Sequence, residues 1–185
     1  MLMTELSSAT SLFDELVSDI NSRVQTLKDV VALIKSKKIL PFEDWKKIEV
    51  TYPDKNQTVD IPDCEGVYIV YIIETGEAAD YIKSCFEKGK KEKEERKYAR
   101  FNKDENSGIL YVGSSKTRNV RIKQHLALSP SRNRTTYALW LNDWFKGTIT
   151  LSYIEFPCTK QEALQAFEDS LWNILRPMFG RQGKR

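Results

Sequence analysis

The stretch that most constrains the fold is residues 109–125, which read ILYVGSSKTRNVRIKQH. Its first four residues are apolar and favour a β-strand, and Gly113 with two serines ends that run. A helix pattern follows, in which Arg121 and His125 stand four residues apart and therefore share one face. His125 is the one histidine of the chain. A strand end that presents Tyr111 beside a helix with Arg and His is suited to hold a phosphate and to move a proton.

Positive charge gathers around this stretch, although the chain as a whole is close to neutral, with a formal net charge of +3 at pH 7. Between Asn106 and Asn142 there is no Asp or Glu, while Lys and Arg recur throughout. Clusters of this kind attract phosphate backbones without reading their sequence. Apart from Arg121, the basic side chains that we predict as such phosphate contacts are Lys116, Arg118, Lys123, Arg132 and Arg134.

Cysteine usage and hydropathy predict a soluble, intracellular and cytoplasmic protein. The three cysteines are widely spaced and form no CxxC pair, so neither a zinc site nor a disulfide framework is indicated. No apolar run approaches the ~20 residues of a membrane-spanning helix. The first residues lack the basic and apolar regions of a signal peptide. We therefore expect no membrane partner.

A second motif lies upstream of this stretch. Gly66-Val67-Tyr68 opens an almost wholly apolar run through Ile73, which predicts a central strand covered on both faces. Downstream, Thr159 and Glu162 form a capping box that begins the last helix, and this helix carries Glu168. In chain order the elements are Gly66-Val67-Tyr68, Tyr111-Val112-Gly113, Arg121, His125 and Glu168. This order resembles the GIY-YIG nuclease family over roughly Asp63 to Gly183.

The predicted architecture is an α/β (α+β) domain, a small three-stranded and mainly antiparallel sheet flanked by helices. An N-terminal helical extension would occupy residues 1–60, and the GIY-YIG-like domain would occupy residues 61–185. A long charged insertion, at about residues 74–108, separates the two motif strands. Further along, apolar spacing predicts a helix over residues 134–145, and alternation predicts a third strand from Thr148 to Phe156.

The insertion allows two interpretations. It contains a helix-compatible part near Ala78 to Phe86, followed by a dense run of mixed charge from Glu87 to Lys103. Such a run is typical of a solvated helix laced with i,i+4 ion pairs, or of partial disorder. The functional alternative is a segment that touches DNA beside the cut site.

The extension is predicted to contain a long amphipathic helix from about Ser11 to Lys37. Its apolar residues recur alternately four and three residues apart, which is heptad spacing. These residues are Phe13, Val17, Ile20, Val24, Leu27, Val31 and Ile34. Such a helix packs along its own domain or pairs with a second copy, and the sequence leaves open a homodimer formed through it.

Glu168 is the most informative single residue of the last helix. Leu164, Leu171 and Leu175 share its helical face, where a carboxylate is costly unless it is paired, protonated or bound to a metal. A salt bridge to an arginine is one explanation. We favour a site for Mg²⁺ (or Mn²⁺), because Mg²⁺ is often held by one or two carboxylates together with phosphate oxygens and waters.

The resemblance implies a catalytic role for each motif residue. Tyr68 would act as the general base or order the attacking water, and Tyr111 would help to place that water or the scissile phosphate. Arg121 would hold the phosphate through its fork of donors. His125 would accept the proton from Tyr68 or hydrogen-bond the nucleophile. Because a free phenol has a pKa near 10, a tyrosine base needs a cation, metal or imidazole close by.

One position departs from the family pattern. Members often carry an Asn shortly after the proline that follows the last helix, where it contributes to the site. Here Pro177 is followed by Met-Phe, and Gly180 stands near the place where Asn is expected. Either another side chain takes over that role or the activity is weakened.

These features predict a Mg²⁺-dependent DNA endonuclease in which water attacks in line, opposite the leaving 3′ oxygen. Since no second DNA-binding domain is visible, a stand-alone restriction-type enzyme is the first interpretation. The alternatives are a structure-selective repair nuclease and a GIY-YIG-fold DNA-binding module whose chemistry is weakened or lost. RNA also stays open as a substrate, because no base-reading motif is present.

Overall fold

The computed structural model describes residues 2–37, 45–53, 59, 68–93, 95–102, 108–115, 119–128, 137–156 and 161–182. Contacts divide the chain into two compact units, Met1–Glu43 and Asp44–Arg185. The first unit holds one helix, and the second holds a sheet with its covering helices. Within the described ranges, no helix is both long and apolar enough to cross a membrane.

The described part of the first unit is one uninterrupted helix, α1, which runs Leu2–Lys37. It begins earlier than the predicted start near Ser11, because neither Gly nor Pro interrupts the sequence from Leu2 onward. Its described heptad positions are exposed to between 39% and 51%; they are Val17, Ile20, Val24, Leu27 and Val31. The first unit therefore presents an apolar stripe to solvent.

The described part of the second unit contains four strands: β1 (Lys46–Tyr52), β2 (Tyr68–Thr75), β3 (Ile109–Ser115) and β4 (Gly147–Phe156). They form one antiparallel sheet in the order β1-β4-β2-β3. The predicted α/β class is confirmed, with one strand more than predicted. The additional strand β1 pairs with β4 and belongs by its contacts to the second unit. The sequence had placed its residues in the extension.

Four helices of the described ranges accompany the sheet: α2 (Ala79–Glu92), α3 (Asn119–Leu126), α4 (Leu141–Trp144) and α5 (Gln161–Leu175). Residues of α2, α3 and α4 share a core cluster with Tyr71 of β2. Tyr68 faces the other way, because strand side chains alternate and the two tyrosines are three residues apart. Tyr68 pairs with Phe156, whose ring stacks on Phe167 of α5 at 4.8 Å. Tyr68 therefore lies on the α5 side of the sheet.

Within the described residues, the helix predicted over residues 134–145 is present only at its end, as α4 (Leu141–Trp144). Residues 129–136 lie outside the described part of the chain, and residues 137–140 are not helical. Ala138 forms a bridge with Tyr98, and Trp140 has a φ of 53°, in the left-handed region that interrupts a helix. The backbone N–H of Leu139 therefore takes no part in helical hydrogen bonding.

The insertion is fixed to the core through Phe86. The predicted helix near Ala78 to Phe86 is confirmed and continues to Glu92 as α2. The ring of Phe86 lies 5.5 Å from that of Tyr98, 5.2 Å from that of Trp144 and 4.9 Å from that of Phe179, measured between centroids. One face of this charged helix therefore packs in the core, and its lysines are exposed on the other faces.

The chain after α5 connects the edge strand to the insertion. Met178 and Phe179 donate their backbone N–H groups to the carbonyls of the first two residues of β3, at 2.8 and 3.0 Å. In the insertion, the Asn102 side-chain amide donates to the carbonyl of Pro177 at 2.9 Å. The segment after Pro177 therefore covers the beginning of β3.

Gly89 is the point where α2 touches α4, and a Cβ atom there would lie 2.1 Å from the Cβ of Trp144. We predict that Gly89→Ala lowers the free energy of unfolding by about 1–3 kcal/mol, the usual cost of overpacking. This cost exceeds the gain of ~1 kcal/mol in helix propensity. Thermal denaturation followed by circular dichroism measures the change. Gly76→Ala is the matched control, because no atom lies within 4 Å of its Cβ position; equal melting temperatures for the two variants would contradict the prediction.

Candidate active site

Gly113 on the edge strand β3 shapes the site. It pairs with Tyr71 on the neighbouring strand β2. A Cβ atom at this position would lie 2.7 Å from Cε1 of Tyr111 and 2.9 Å from the hydroxyl oxygen of Tyr71. Since both distances are shorter than real carbon contacts, the two tyrosine side chains occupy the space that a larger residue would need. Only glycine allows this arrangement.

Tyr71 is a member of the site that the sequence motifs do not mark. Its side chain is fully buried, and its ring stacks near that of Tyr111 with 6.1 Å between centroids. Burial, and then Tyr111, raises the pKa of Tyr71 well above 10.0, whereas Arg121 lowers it. Among the described residues, no group makes a hydrogen bond of standard geometry with its hydroxyl.

His125 on α3 is fully buried against the two tyrosines. Its ring centroid lies 4.1 Å from that of Tyr111 and 6.0 Å from that of Tyr71. The backbone N–H of Leu139 donates to its Nδ1 at 3.2 Å, so a neutral ring carries its proton on Nε2. Burial, and then Arg121, holds the pKa of His125 well below 6.5. The imidazole is therefore a neutral donor at its Nε2 end.

Arg121 lies one turn before His125, and its positive charge acts on the other residues of the site. Burial raises the pKa of Tyr111 and of Tyr71, and in both cases the Arg121 guanidinium acts against burial. The side chain of Arg121 is half-buried, and its Nη1 donates to Oε1 of Gln124 at 3.4 Å. A half-buried guanidinium of this kind can still offer donors to an incoming phosphate.

Glu168 approaches the same strand from α5, on the other side of the sheet. The hydroxyl of Ser114 donates to its Oε2 at 2.5 Å. Burial raises the pKa of Glu168, while the Ser114 hydrogen bond and the charge of Arg121 lower it. The carboxylate is half-buried and is held next to the edge of the sheet.

The structure brings together four of the five predicted catalytic residues, which are Tyr111, Arg121, His125 and Glu168. Tyr68, the fifth, is buried on the opposite face of β2 from Tyr71, on the side of the sheet where α5 and Glu168 lie. Gly66 and Val67 lie outside the described residues. Of the predicted phosphate contacts, Lys123 is half-buried on α3. The others, Lys116, Arg118, Arg132 and Arg134, lie outside the described residues.

Gly180 occupies the position at which the resemblance led us to expect Asn. Its surroundings explain why the residue there is glycine. Its φ is 102°, which side chains rarely adopt, and a Cβ atom would lie 2.9 Å from Cε2 of Tyr111. The ring of Tyr111 thus occupies the space that a side chain at position 180 would enter. In this chain, Gly180 and Gly113 both make room for Tyr111.

A family model described as the GIY-YIG catalytic domain matches residues 66–182. The chain belongs to the GIY-YIG family. No curated protein and no solved structure matches it. Membership of the GIY-YIG family identifies residues 66–182 as a domain of the nuclease superfamily, for which DNA is the general substrate. The site at the edge of β3 lies within these residues.

GIY-YIG nucleases depend in general on a divalent metal ion, and Glu168 fits a site in which one carboxylate serves as the protein ligand. Among the described residues, no group of three or more His, Cys, Asp or Glu side chains is placed to hold a metal. One oxygen of Glu168 accepts from Ser114, and the carboxylate is half-buried rather than enclosed.

The single histidine makes the protonation of the site measurable. We predict that the ¹⁵N spectrum of His125 at pH 7 shows the neutral form protonated at Nε2, and that it titrates well below 6.5. The unfolded chain takes up this proton near pH 6.5 and the folded chain does not. The free energy of unfolding therefore falls as the pH decreases through 6.5, and levels off below the folded pKa. A ring protonated at Nδ1, or a pKa near 6.5, would contradict the assignment.

Proposed function

We propose that the chain is a DNA endonuclease of the stand-alone restriction type, which uses Mg²⁺ (or Mn²⁺) held at Glu168. One observation carries the proposal: at the edge strand β3, Tyr111 packs on His125 of the helix that also bears Arg121, and Ser114 donates a hydrogen bond to Glu168. A cation, a carboxylate and phenols that converge in this way are suited to phosphodiester hydrolysis, in which negative charge develops on the phosphate.

Arg121 would bind the scissile phosphate and stabilise the charge that develops on it, because its guanidinium offers several donors in a fixed plane. Glu168 would hold the metal ion through its carboxylate, which the Ser114 hydroxyl orients by a hydrogen bond. When bound there, a divalent ion neutralises the phosphate and the leaving oxygen. Exposed and half-buried basic side chains nearby, such as Lys123, would add contacts to flanking phosphates.

The tyrosines begin the reaction protonated. Burial raises the pKa of Tyr111 and dominates the opposing effect of Arg121, so its phenol orients the attacking water by hydrogen bonding. The Nε2 atom of His125 carries a proton already, because Nδ1 accepts from the Leu139 backbone. In this state His125 donates a hydrogen bond to the site. Of the two roles predicted for His125 from the sequence, this proposal takes the hydrogen bond to the nucleophile rather than acceptance of a proton from Tyr68.

The proposal predicts a specific pattern of activity losses. Cleavage of supercoiled and linear DNA with Mg²⁺ should fall by roughly 10²–10³-fold in Arg121→Ala, since one donor to a developing charge contributes that much. Glu168→Ala should lose Mg²⁺-dependent cleavage to a similar extent, while its DNA affinity, measured by fluorescence anisotropy, stays nearly unchanged.

Two matched variants control for general effects of charge removal. Glu162→Ala removes an exposed carboxylate from the first turn of the same helix, and Arg100→Ala removes an exposed guanidinium from the insertion. Both should cleave like the unchanged chain. Discrete fragments support the restriction-type role. Nicking without discrete fragments favours a structure-selective repair nuclease, and salt-sensitive binding without cleavage would leave only a DNA-binding module.

We further propose that two copies associate through α1, which would supply two active sites for two strand cuts. The heptad positions carry Val17, Val24 and Val31 alternating with Ile20 and Leu27, and all five are exposed. An apolar stripe at this spacing is buried efficiently by a second helix with the same spacing. The second copy of this chain offers such a helix.

Charge favours an antiparallel arrangement of the two helices. In a parallel pair, Arg23 at a g position would face Lys28 at the e position of the second copy, and the two positive charges would repel. In an antiparallel pair with Val24 packed on Leu27, the facing e positions bring the exposed Asp14 of one copy close to Lys35 of the other. This opposite-charge contact occurs twice.

The association is predicted to depend on the stripe and on these charges. The chain should have about twice its mass of 21.5 kDa by light scattering, and Ile20→Glu with Leu27→Glu should reduce this to the single mass. Ser22→Glu, on the outer face, is the control. Lys35→Glu should weaken association and Asp14→Lys in the same chain should restore it. A stable dimer that tolerates the two glutamates would show that another surface forms it.

A further inference from the structure

Tyr137 is an exposed aromatic residue that takes no part in the site described above. Its side chain is 60% exposed, although the three residues that follow it are fully or almost fully buried. The ammonium of Lys97 lies over its ring, 5.7 Å from the centroid, which is the distance of a cation–π contact. The Tyr137 hydroxyl makes no hydrogen bond with any described residue. An apolar ring with a polar tip and a cation beside it is therefore presented to solvent.

Lys97 keeps its charge free, whereas the basic residues before it are used inside the protein. The adjacent Arg96 stacks on the ring of Trp140 at 4.3 Å and pairs with Asp143 at 3.2 Å. Lys93 also pairs with Asp143, at 3.5 Å. Lys97 is exposed and forms no ion pair with a carboxylate of the described residues. The mixed charge of the insertion is thus divided: two cations neutralise the half-buried Asp143, and Lys97 faces solvent.

Backbone hydrogen bonds hold Lys97 and Tyr137 beside each other. The N–H of Ala138 donates to the carbonyl of Lys97 at 3.2 Å, and the N–H of Ala99 donates to the carbonyl of Ala138 at 2.8 Å. The indole N–H of Trp140 donates to the same Lys97 carbonyl at 3.1 Å. These three bonds join the insertion to the segment that carries Tyr137. The two side chains, hereafter the Lys97–Tyr137 surface, are therefore brought together by the fold.

The Lys97–Tyr137 surface adjoins the active site through the same segment. Leu139, two residues after Tyr137, donates its backbone N–H to Nδ1 of His125 at 3.2 Å. Two residues of chain span at most about 7 Å, so the backbone of Tyr137 lies within roughly 10 Å of the imidazole. A strand of DNA carries one negative charge per ~3.4 Å of helix axis. The surface therefore lies within a few phosphates of a strand bound at the site.

We propose that the Lys97–Tyr137 surface binds a backbone phosphate of the DNA that flanks the cut, with the ammonium supplying charge and the phenol a hydrogen bond. The inference rests on the proposed nuclease function, and it assigns to the insertion the second of its two interpretations. Lys and Tyr side chains are both common donors to phosphate oxygens, and such contacts carry no sequence information. The local charge is complementary to DNA, because no Asp or Glu occurs between Asn106 and Asn142, the stretch that includes Tyr137.

The salt dependence of DNA binding tests the charge of Lys97. Fluorescence anisotropy with short duplexes in EDTA measures binding without cleavage. Lys97→Ala should weaken binding by ~3–10-fold and should reduce the slope of log Kd against log salt by about 1, equally on two duplexes of unrelated sequence. Lys97→Arg keeps the charge and should keep both values. Lys88→Ala removes an exposed lysine from α2 and is the matched control, which should bind like the unchanged chain.

The hydroxyl of Tyr137 is tested separately by Tyr137→Phe. This variant should bind ~2–5-fold more weakly with an unchanged salt slope, because it removes a neutral donor. Tyr81→Phe is its control: Tyr81 is also exposed, but its hydroxyl already donates to the carbonyl of Lys146 at 3.2 Å. This control should retain full DNA affinity.

Three results would overturn the inference. They are Lys97→Ala binding DNA like Lys88→Ala, Lys97→Arg binding as weakly as Lys97→Ala, and Tyr137→Phe binding as tightly as the unchanged chain. Since binding is measured without metal, the nuclease assignment fails separately, when the unchanged chain binds DNA but does not cleave it with Mg²⁺. If the unchanged chain does not bind DNA at all, both proposals are wrong.

Discussion

The site depends on the close approach of two aromatic side chains to the backbone of the edge strand at Gly113. The space that any other residue would fill is taken by Tyr111 and the Tyr71 hydroxyl. Gly180 likewise leaves space for the other side of the Tyr111 ring. Because the rings are packed so tightly, they exclude water, and this raises the pKa of both phenols and lowers that of His125. Arg121 is the main charge that counteracts burial at the tyrosines.

Burial has different consequences for the residues on the two sides of β3. On one side, it keeps two phenols and an imidazole uncharged, which suits them to hydrogen bonding. On the other side, Glu168 accepts a hydrogen bond from the Ser114 hydroxyl and remains half-buried. Arg121 acts on both sides because β3 is the last strand of the sheet. A central strand would have separated these groups.

Much of this arrangement could be predicted from local sequence. The strand, glycine and helix around residues 109–125, and the helix that bears Glu168, each follow from patterns within a few residues. The pairing of Tyr71 with Gly113 could not be predicted, because the insertion between the strands removes the short turn that normally fixes register. The residues from Tyr68 to Ile73 are also apolar at almost every position. No alternation of apolar and polar residues therefore shows which face of the strand lies inward. The short α4 likewise depends on the tertiary position of Trp140 rather than on apolar spacing.

The segment that follows α5 has a consequence for the solubility of the protein. An edge strand can pair with other chains through its backbone groups, and β3 lies at the edge of the sheet that the described residues form. Met178 and Phe179 occupy the carbonyls at its beginning, while Asn102 fixes that segment to the insertion. Among the described residues this cover ends before Tyr111, so they leave open the part of the edge that carries the site residues. The same cover that guards against strand-to-strand aggregation thus leaves an approach for an extended phosphate backbone.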